Sequence, residues 1–512
     1  MHYVRRTGVL VATALALAAG ARARAAEPTY AELVKSHEDD IAKYTAVSPD
    51  FPPAMIARLS YADFLARHFD TDCAARMAAA EEQRAIVARN PAFEVVYPQA
   101  SAEMRQIEFA IAYGLAQCTN GDDELVAALE KALVAAQDAV VAYSKLHDYR
   151  QMVIAQFNVA KVHHDLNDGE GPRWLELALA TDAQYGLRDD ALDNFKTLEQ
   201  WRGHQPDPAV VDRYMKDFPA RSVALQFGWR PVTSEIRTEQ TLTKMQGGKP
   251  VVVAATLTGN GKITKDGTDF VLTVGDVRSE KTGSSFGDEL ASAIARIAAQ
   301  TPPMTVGPRG EFKGVADLEG FAGRSGAELL AMIDRLVPAD DPRRPQAKAA
   351  AESMLKTSLN KDVLDATFRL GHMIETSFWI GATLKQGVIS NTKTLWHMPG
   401  TPQGFIDSTI EFEVAGFVPC AMTEVDPRCA EILIDIMPTD AAVAARQAEL
   451  AKQGKGALNY WATTHLRVIL DPQTLFCYAR EMHASAYVSL KTAAGESTEI
   501  SSNDTKSTTT YQ

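Results

Sequence analysis

Beyond residue 26 the chain has no apolar run approaching the ~20 residues that span a bilayer as a helix, so an integral membrane protein built on such helices is not expected. Cysteine is scarce. The five in 512 residues form no CxxC pair, which leaves a tetrahedral zinc site or a thioredoxin-like redox motif without its ligands. Positive charge is in deficit, with 52 Lys and Arg against 65 Asp and Glu and a net charge of −13. Phosphate neutralisation needs clustered Lys and Arg, so nucleic acid and anionic membrane surfaces are not expected partners. HExxH and a Walker-spaced phosphate loop are missing, Ser284-Ser285 lies between Gly283 and Gly287 in a stretch where a loop role is expected, and no catalytic residue, cofactor or metal is assigned.

What is there begins with the first residues. Met1 to Arg6 is positively charged, Thr7 to Gly20 is apolar, and Ala21-Arg22-Ala23 and Ala23-Arg24-Ala25 offer small residues at signal-peptidase spacing. This pattern predicts a secretory signal over residues 1–25, too short to anchor the chain, and a periplasmic or secreted mature protein. Disulfides form in such a compartment. Cys420 and Cys429 bracket a short loop containing Asp426-Pro427 and are the first expected pair; Cys73 with Cys118 is the second, and Cys477 is left over as a buried apolar side chain.

Residues 26–228 read as helical. Leu125, Ala128, Leu129, Leu133, Ala136 and Val140 trace a stripe with helical spacing, and the breaks at Ser48–Pro53, Asn90-Pro91, Thr119–Asp123 and Asn167–Pro172 divide the region into helices with short connections. Within it, residues 155–182 resemble one tetratricopeptide repeat: Phe157-Asn158-Val159-Ala160 opens the first helix, Leu166-Asn167-Asp168 stands at the turn, and Ala178-Leu179 matches the second helix. The resemblance implies helix pairs that bury an open apolar face on their neighbours and offer a surface to protein partners. The shortened turn with Gly169 and Pro172 departs from it.

Residues 229–493 carry strand signals in two halves, about 229–320 and 387–493, around a helical insertion at 321–386. Phe270, Leu272 and Val274 alternate with other residues, as do Ile432, Ile434 and Ile436, and Leu466, Val468 and Leu470. Lys265–Thr268 reads as a hairpin turn, and so does Gly259–Thr264, whose glycines have the wrong spacing for a phosphate loop. Residues 494–512 form a polar tail, frayed or extending a sheet edge. The expected class is therefore mixed, an all-α N-terminal domain followed by an α+β domain with an antiparallel sheet and helical insertions. Helices inserted between alternating strands resemble the half-open barrels of periplasmic lipoprotein carriers. That resemblance implies a curved sheet face holding apolar ligand under helices.

Few residues point to chemistry. His163, His164 and Asp165 are adjacent, so on a helix their side chains diverge by about 100° per step. His372 and Glu375 are three apart on one helical face, a spacing compatible with half a metal site, but with no HExxH and the other histidines scattered an ordinary helix-surface pair is expected. Trp379, Trp396, Phe405 and Trp461 are the large aromatics available for apolar or aromatic contacts, although such residues mostly fill cores. The composition and compartment imply an exported, non-enzymatic binding or scaffold protein of the bacterial cell envelope, acting through protein interaction. A carrier of a lipid or other apolar ligand is the alternative, and a hydrolase with an unfamiliar site is the third class.

Overall fold

The computed structural model describes residues 28–512 apart from 69–71, 120, 205–206, 219–220, 247–248, 281–284, 398–404, 422–424, 453–456 and 493–494. The leader expected at residues 1–25 lies outside the described residues. The chain divides into two compact units, residues 1–219 and 220–512. The division falls ahead of Gly228–Pro231, where the sequence places it, because the first strand of the second unit already starts at Ser222.

The first unit holds ten helices among the described residues: α1 (Tyr30–Thr45), α2 (Pro52–Arg67), α3 (Cys73–Ala88), α4 (Pro91–Val96), α5 (Ala100–Cys118), α6 (Asp122–Lys145), α7 (Tyr149–Leu166), α8 (Gly171–Tyr185), α9 (Arg188–Trp201) and α10 (Pro208–Asp217). Their ends follow local chemistry. Thr29 and Glu32 close a capping box on α1, Asp148 caps α7, and left-handed Asn167 and Gly186 stop α7 and α8. From α5 to α9 each helix packs on the next, and small residues set the approach. Ala132, Ala136, Ala139, Ala160 and Ala178 are fully buried, and a side chain at Gly171 would press on the α7 backbone at 3.0 Å. Cys73 is bonded to Cys118, joining the start of α3 to the end of α5; closing a loop of this length stabilises by roughly 2–4 kcal/mol.

One acid in this unit has no exposed surface. Asp182 on α8 accepts a hydrogen bond from Asn194 Nδ2 at 2.8 Å, while its second carboxylate oxygen is buried without a partner among the described residues. Burial, helped by nearby Asp190 and opposed by the Asn194 bond and Arg150, pushes its carboxyl up to about 8. The folded unit therefore holds Asp182 protonated at pH values where the unfolded chain ionises it.

Among the described residues the second unit is built on an eleven-stranded antiparallel sheet, ordered β6-β5-β4-β3-β2-β13-β12-β11-β10-β9-β8. The strands are β2 (Val232–Gln246), β3 (Lys249–Asp266), β4 (Asp269–Ser279), β5 (Met304–Val306), β6 (Phe312–Val315), β8 (Ser390–His397), β9 (Phe405–Val418), β10 (Cys429–Pro438), β11 (Ala457–Leu470), β12 (Cys477–Thr492) and β13 (Gly495–Tyr511). A two-stranded ribbon pairs β1 (Ser222–Ala224) with β7 (Thr383–Lys385). Between strands lie α11 (Ser285–Ala298), α12 (Leu318–Leu336), α13 (Arg344–Ser358), α14 (Lys361–His372), a π-helical turn at Met373–Ser377 and α15 (Asp440–Lys452). The mixed class is present, with an antiparallel sheet carrying helical insertions after the helical unit.

Two local expectations are corrected. The polar tail is neither frayed nor an edge: β13 lies in the middle of the sheet and pairs with β12 on one side and β2 on the other, joining the two halves. A Ser/Thr-rich strand fits there because its flanking strands supply both hydrogen-bond ladders while its side chains need only partial burial. Gly259–Thr264 is no turn but runs through the middle of β3. The turn falls at Gly267, with φ +61°, as the Asp-Gly pair predicts.

The apolar core is divided accordingly. Over β8–β12 it gathers Ile410, Val414, Ile432, Ile434, Ile436, Leu466 and Val468 under Ile374 and Trp379. Over β3–β6 it gathers Ile263, Phe270 and Val306 with Phe476, and a separate cluster packs α12 against α14 through Leu318, Phe321 and Leu364. Cys420 is bonded to Cys429 where β9 passes to β10.

The titration of Asp182 sets a stability window. Its folded pKa lies above the unfolded value, so the protonated group is stable in the fold at low pH. Stability falls as pH rises from about 4 towards about 8 and is level beyond. In thermal unfolding followed by circular dichroism, Asp182→Asn is expected to match the wild type near pH 4.5 and to exceed its Tm by about 2–8 °C at pH 8.5. An equal Tm difference at both pH values would contradict this.

Candidate functional site

Paired residues of adjacent strands share a face, so the register assigns every side chain of the sheet. One face carries Ile410, Phe412 and Val414 of β9, Ile432, Ile434 and Ile436 of β10, and Leu466 and Val468 of β11. It continues through Arg480, Met482, Ala484 and Val488 of β12, Asn503, Thr505 and Ser507 of β13, Thr238, Gln240 and Leu242 of β2, and Val253, Ala255 and Leu257 of β3. This is the face that the helices cover. Ile374 and Trp379 lie on its β8–β12 wing, and α11 packs on β3 and β4.

The two wings are apolar and the strip between them is not. Thr238 Oγ1 and Ser507 Oγ lie 3.0 Å apart, Gln240 donates to Asn503 Oδ1 at 3.1 Å, and Lys244 pairs with Glu499 at 2.8 Å. Beside this strip apolar side chains stay open: Leu242 is 46% exposed and Val251, two places from Val253 on the same face, 42%. Thr464, on the same face of β11, is 1% exposed, and its hydroxyl has no partner among the described residues.

A charged pair links this face to the helical insertion. Arg480 Nη1 donates to Glu375 Oε1 at 2.7 Å, and both side chains are about one-third exposed. Glu375 sits in the π-helical turn, where Phe378 N–H reaches back to Met373 C=O. The Arg480 Nε–H is buried and meets no acceptor among the described residues. Nearby, Tyr511 donates to the Cys477 carbonyl at 3.2 Å. Burial, with the negative charge of Glu375 among the other causes, holds both the Tyr511 phenol and the Cys477 thiol well above their ordinary ranges, so both stay protonated at neutral pH. Trp229 packs beside Phe476 and His372, and its indole N–H is also buried without an acceptor among the described residues.

The opposite face carries a row of paired charges across four strands. His465 bonds to Asp435, His483 Nδ1 and Asp504 Oδ1 lie 2.5 Å apart, and the two imidazoles face each other across β11 and β12 at 6.3 Å. Next to them Arg467 binds buried Glu431 at 2.5 Å and Glu481 at 3.4 Å, and Lys506 binds Glu481 at 3.0 Å. These pairs fix which residue of β13 meets which residue of β12, a matter that a polar strand leaves weakly specified.

The residues singled out by sequence are scattered among these features. Trp379 and Trp396 are buried in one core cluster, with the Trp379 indole donating to Ile374 C=O. Trp461 is buried on the opposite face, across from Tyr487, and Phe405 is half-buried at the start of β9. None of the four borders the open strip. His372 and Glu375 point to different partners: His372 Nε2 lies 2.8 Å from Gly310 C=O, while Glu375, carried on by the π turn, meets Arg480. Burial also lowers the His372 pKa and keeps the ring neutral. His163 turns to Asp168, His164 stacks on Trp201 and Asp165 accepts from Tyr113, three separate directions as the helical step requires. Among the described residues no group of three or more His, Cys, Asp and Glu is placed to hold a metal ion, and no helix is long and apolar enough to cross a membrane.

No known protein family's sequence profile matches the chain, and no curated protein matches it. Among solved structures it is similar to one titled "Lipid-protein interactions in lipovitellin", with 12% identity over 56% of this chain and a TM-score of 0.26. The chain spans about a quarter of that structure, 26% of its length, and likeness at this score defines neither a shared fold nor a shared ligand.

The cysteine arrangement gives a direct check. With four cysteines in two bonds and the Cys477 thiol held protonated by burial, thiol titration at pH 8 is expected to find no reactive thiol in the native protein and one per chain after denaturation without reductant. Several thiols in the denatured sample would show the bonds absent.

Proposed function

We propose that this protein is an exported carrier of an apolar or amphipathic ligand, held on the helix-covered face of its sheet. The observation that supports the reading is the strip of that face where Leu242 and Val251, towards the β2–β3 turn, keep 46% and 42% of their surface beside a row of partly buried polar side chains. A sheet face that only filled a core would bury these residues with Ile432 and Val468, worth about 25 cal/mol per Å². Apolar wings flanking polar groups suit a ligand with a chain and a polar end. Two disulfides agree with folding in an oxidising compartment such as the periplasm. This reading is in keeping with the resemblance to half-open lipoprotein carriers, with an antiparallel sheet and helices over one face as the shared elements.

A second reading, an envelope scaffold acting through protein interaction, draws on the helical unit. Val126, Val134 and Val141 are exposed at seven- and eight-residue intervals along α6, so they lie along one side of that helix. It accounts for the helices but leaves the open strip of the sheet without a role.

Native mass spectrometry of protein purified without detergent tests the carrier reading. The expected spectrum holds the mature chain together with adducts in the mass range of lipids, which organic extraction removes. A clean unliganded mass, together with no uptake of lipid from vesicles, would overturn it.

A further inference from the structure

We infer that the ligand carries an anionic head group, a carboxylate or phosphate, which Arg480 receives in exchange for Glu375; this rests on the carrier reading above. Arg480 stands on the ligand face of β12 in a row with Val468, Ser507, Thr238 and Leu257, where apolar wing meets polar strip. Its guanidinium has five N–H donors in a planar fork, of which the bond to Glu375 uses one. The Nε–H is buried without an acceptor among the described residues, an arrangement that costs free energy until an acceptor arrives. A carboxylate or phosphate oxygen pair is the chemical shape that satisfies a guanidinium edge with two parallel bonds.

Glu375 is the competing anion. Because it belongs to the helical insertion and Arg480 to the sheet, a head group that takes its place also removes a tie between the cover and the ligand face. Binding and opening are thereby one exchange, with the guanidinium passing from one carboxylate to another anion.

The test compares sodium oleate with oleyl alcohol, which share a chain and differ in the anionic end, by calorimetric titration into the full mature protein. The wild type is expected to bind oleate about 10-fold more tightly than the alcohol. Arg480→Gln is expected to bring the two Kd values within about twofold, and Glu375→Gln, which removes the competitor, to tighten oleate about 3-fold or more. Circular dichroism and alcohol binding show that each variant is folded. Equal binding of both probes by the wild type, or an unchanged preference in both variants, overturns the head-group assignment while the carrier reading stands. Failure of the wild type to bind either probe overturns both. Acetate at the same concentration is expected to leave bound oleate in place; if acetate displaces it, Arg480 is a site for free anions and the assignment fails.

Discussion

The sheet depends on the hydrogen bonding of its last strand. β13 is the element through which β2–β6 and β8–β12 become one surface, and it pairs with residues far away in sequence, Ser507 meeting Thr238 across 269 positions. The strands on its two sides therefore cannot be continuous until β13 is in place. Pairing over such a separation forms late, because the entropy of loop closure precedes the contacts that offset it. Having little apolar surface to drive it into place, β13 is registered by side-chain bonds instead: His483–Asp504 and Lys506–Glu481 to one neighbour, Gln240–Asn503 and Lys244–Glu499 to the other.

From this placement follows the character of the helix-covered face. A polar strand inserted between two apolar wings leaves a strip of hydroxyl and amide groups down the middle, with open Leu242 and Val251 beside it. The helices seal the wings and meet the strip at the Arg480–Glu375 pair. Had the last strand been apolar, the face would read as an ordinary core under helices, and the proposed ligand would have neither a polar end to bind nor room beside it.

The sequence makes local structure legible where its signals are local. The helices of the first unit and the hairpin at Gly267 follow from periodicity, caps and turn residues. The tail was illegible because β13 lacks period-two apolar alternation; its strand character comes from its neighbours' ladders. Gly259 and Gly261 suggest a turn, yet the long ladder of β3 with β2 runs straight through them. The candidate site was half visible. Glu375 stands out beside His372, but nothing local says that a π turn sends them apart, or that Arg480, 105 residues later, is the partner. Alternation within β12 was the available signal, since it puts Arg480 on the face of Met482 and Ala484, where a charge needs a reason.

Amide hydrogen exchange of the peptides covering residues 497–511 tests the central claim most directly. With β13 paired on both sides, its amides are expected to be protected for as long as those of β12 and β2, hours at neutral pH. Complete exchange of these peptides within seconds in the folded protein would contradict the account, because the two halves would then lack their shared strand.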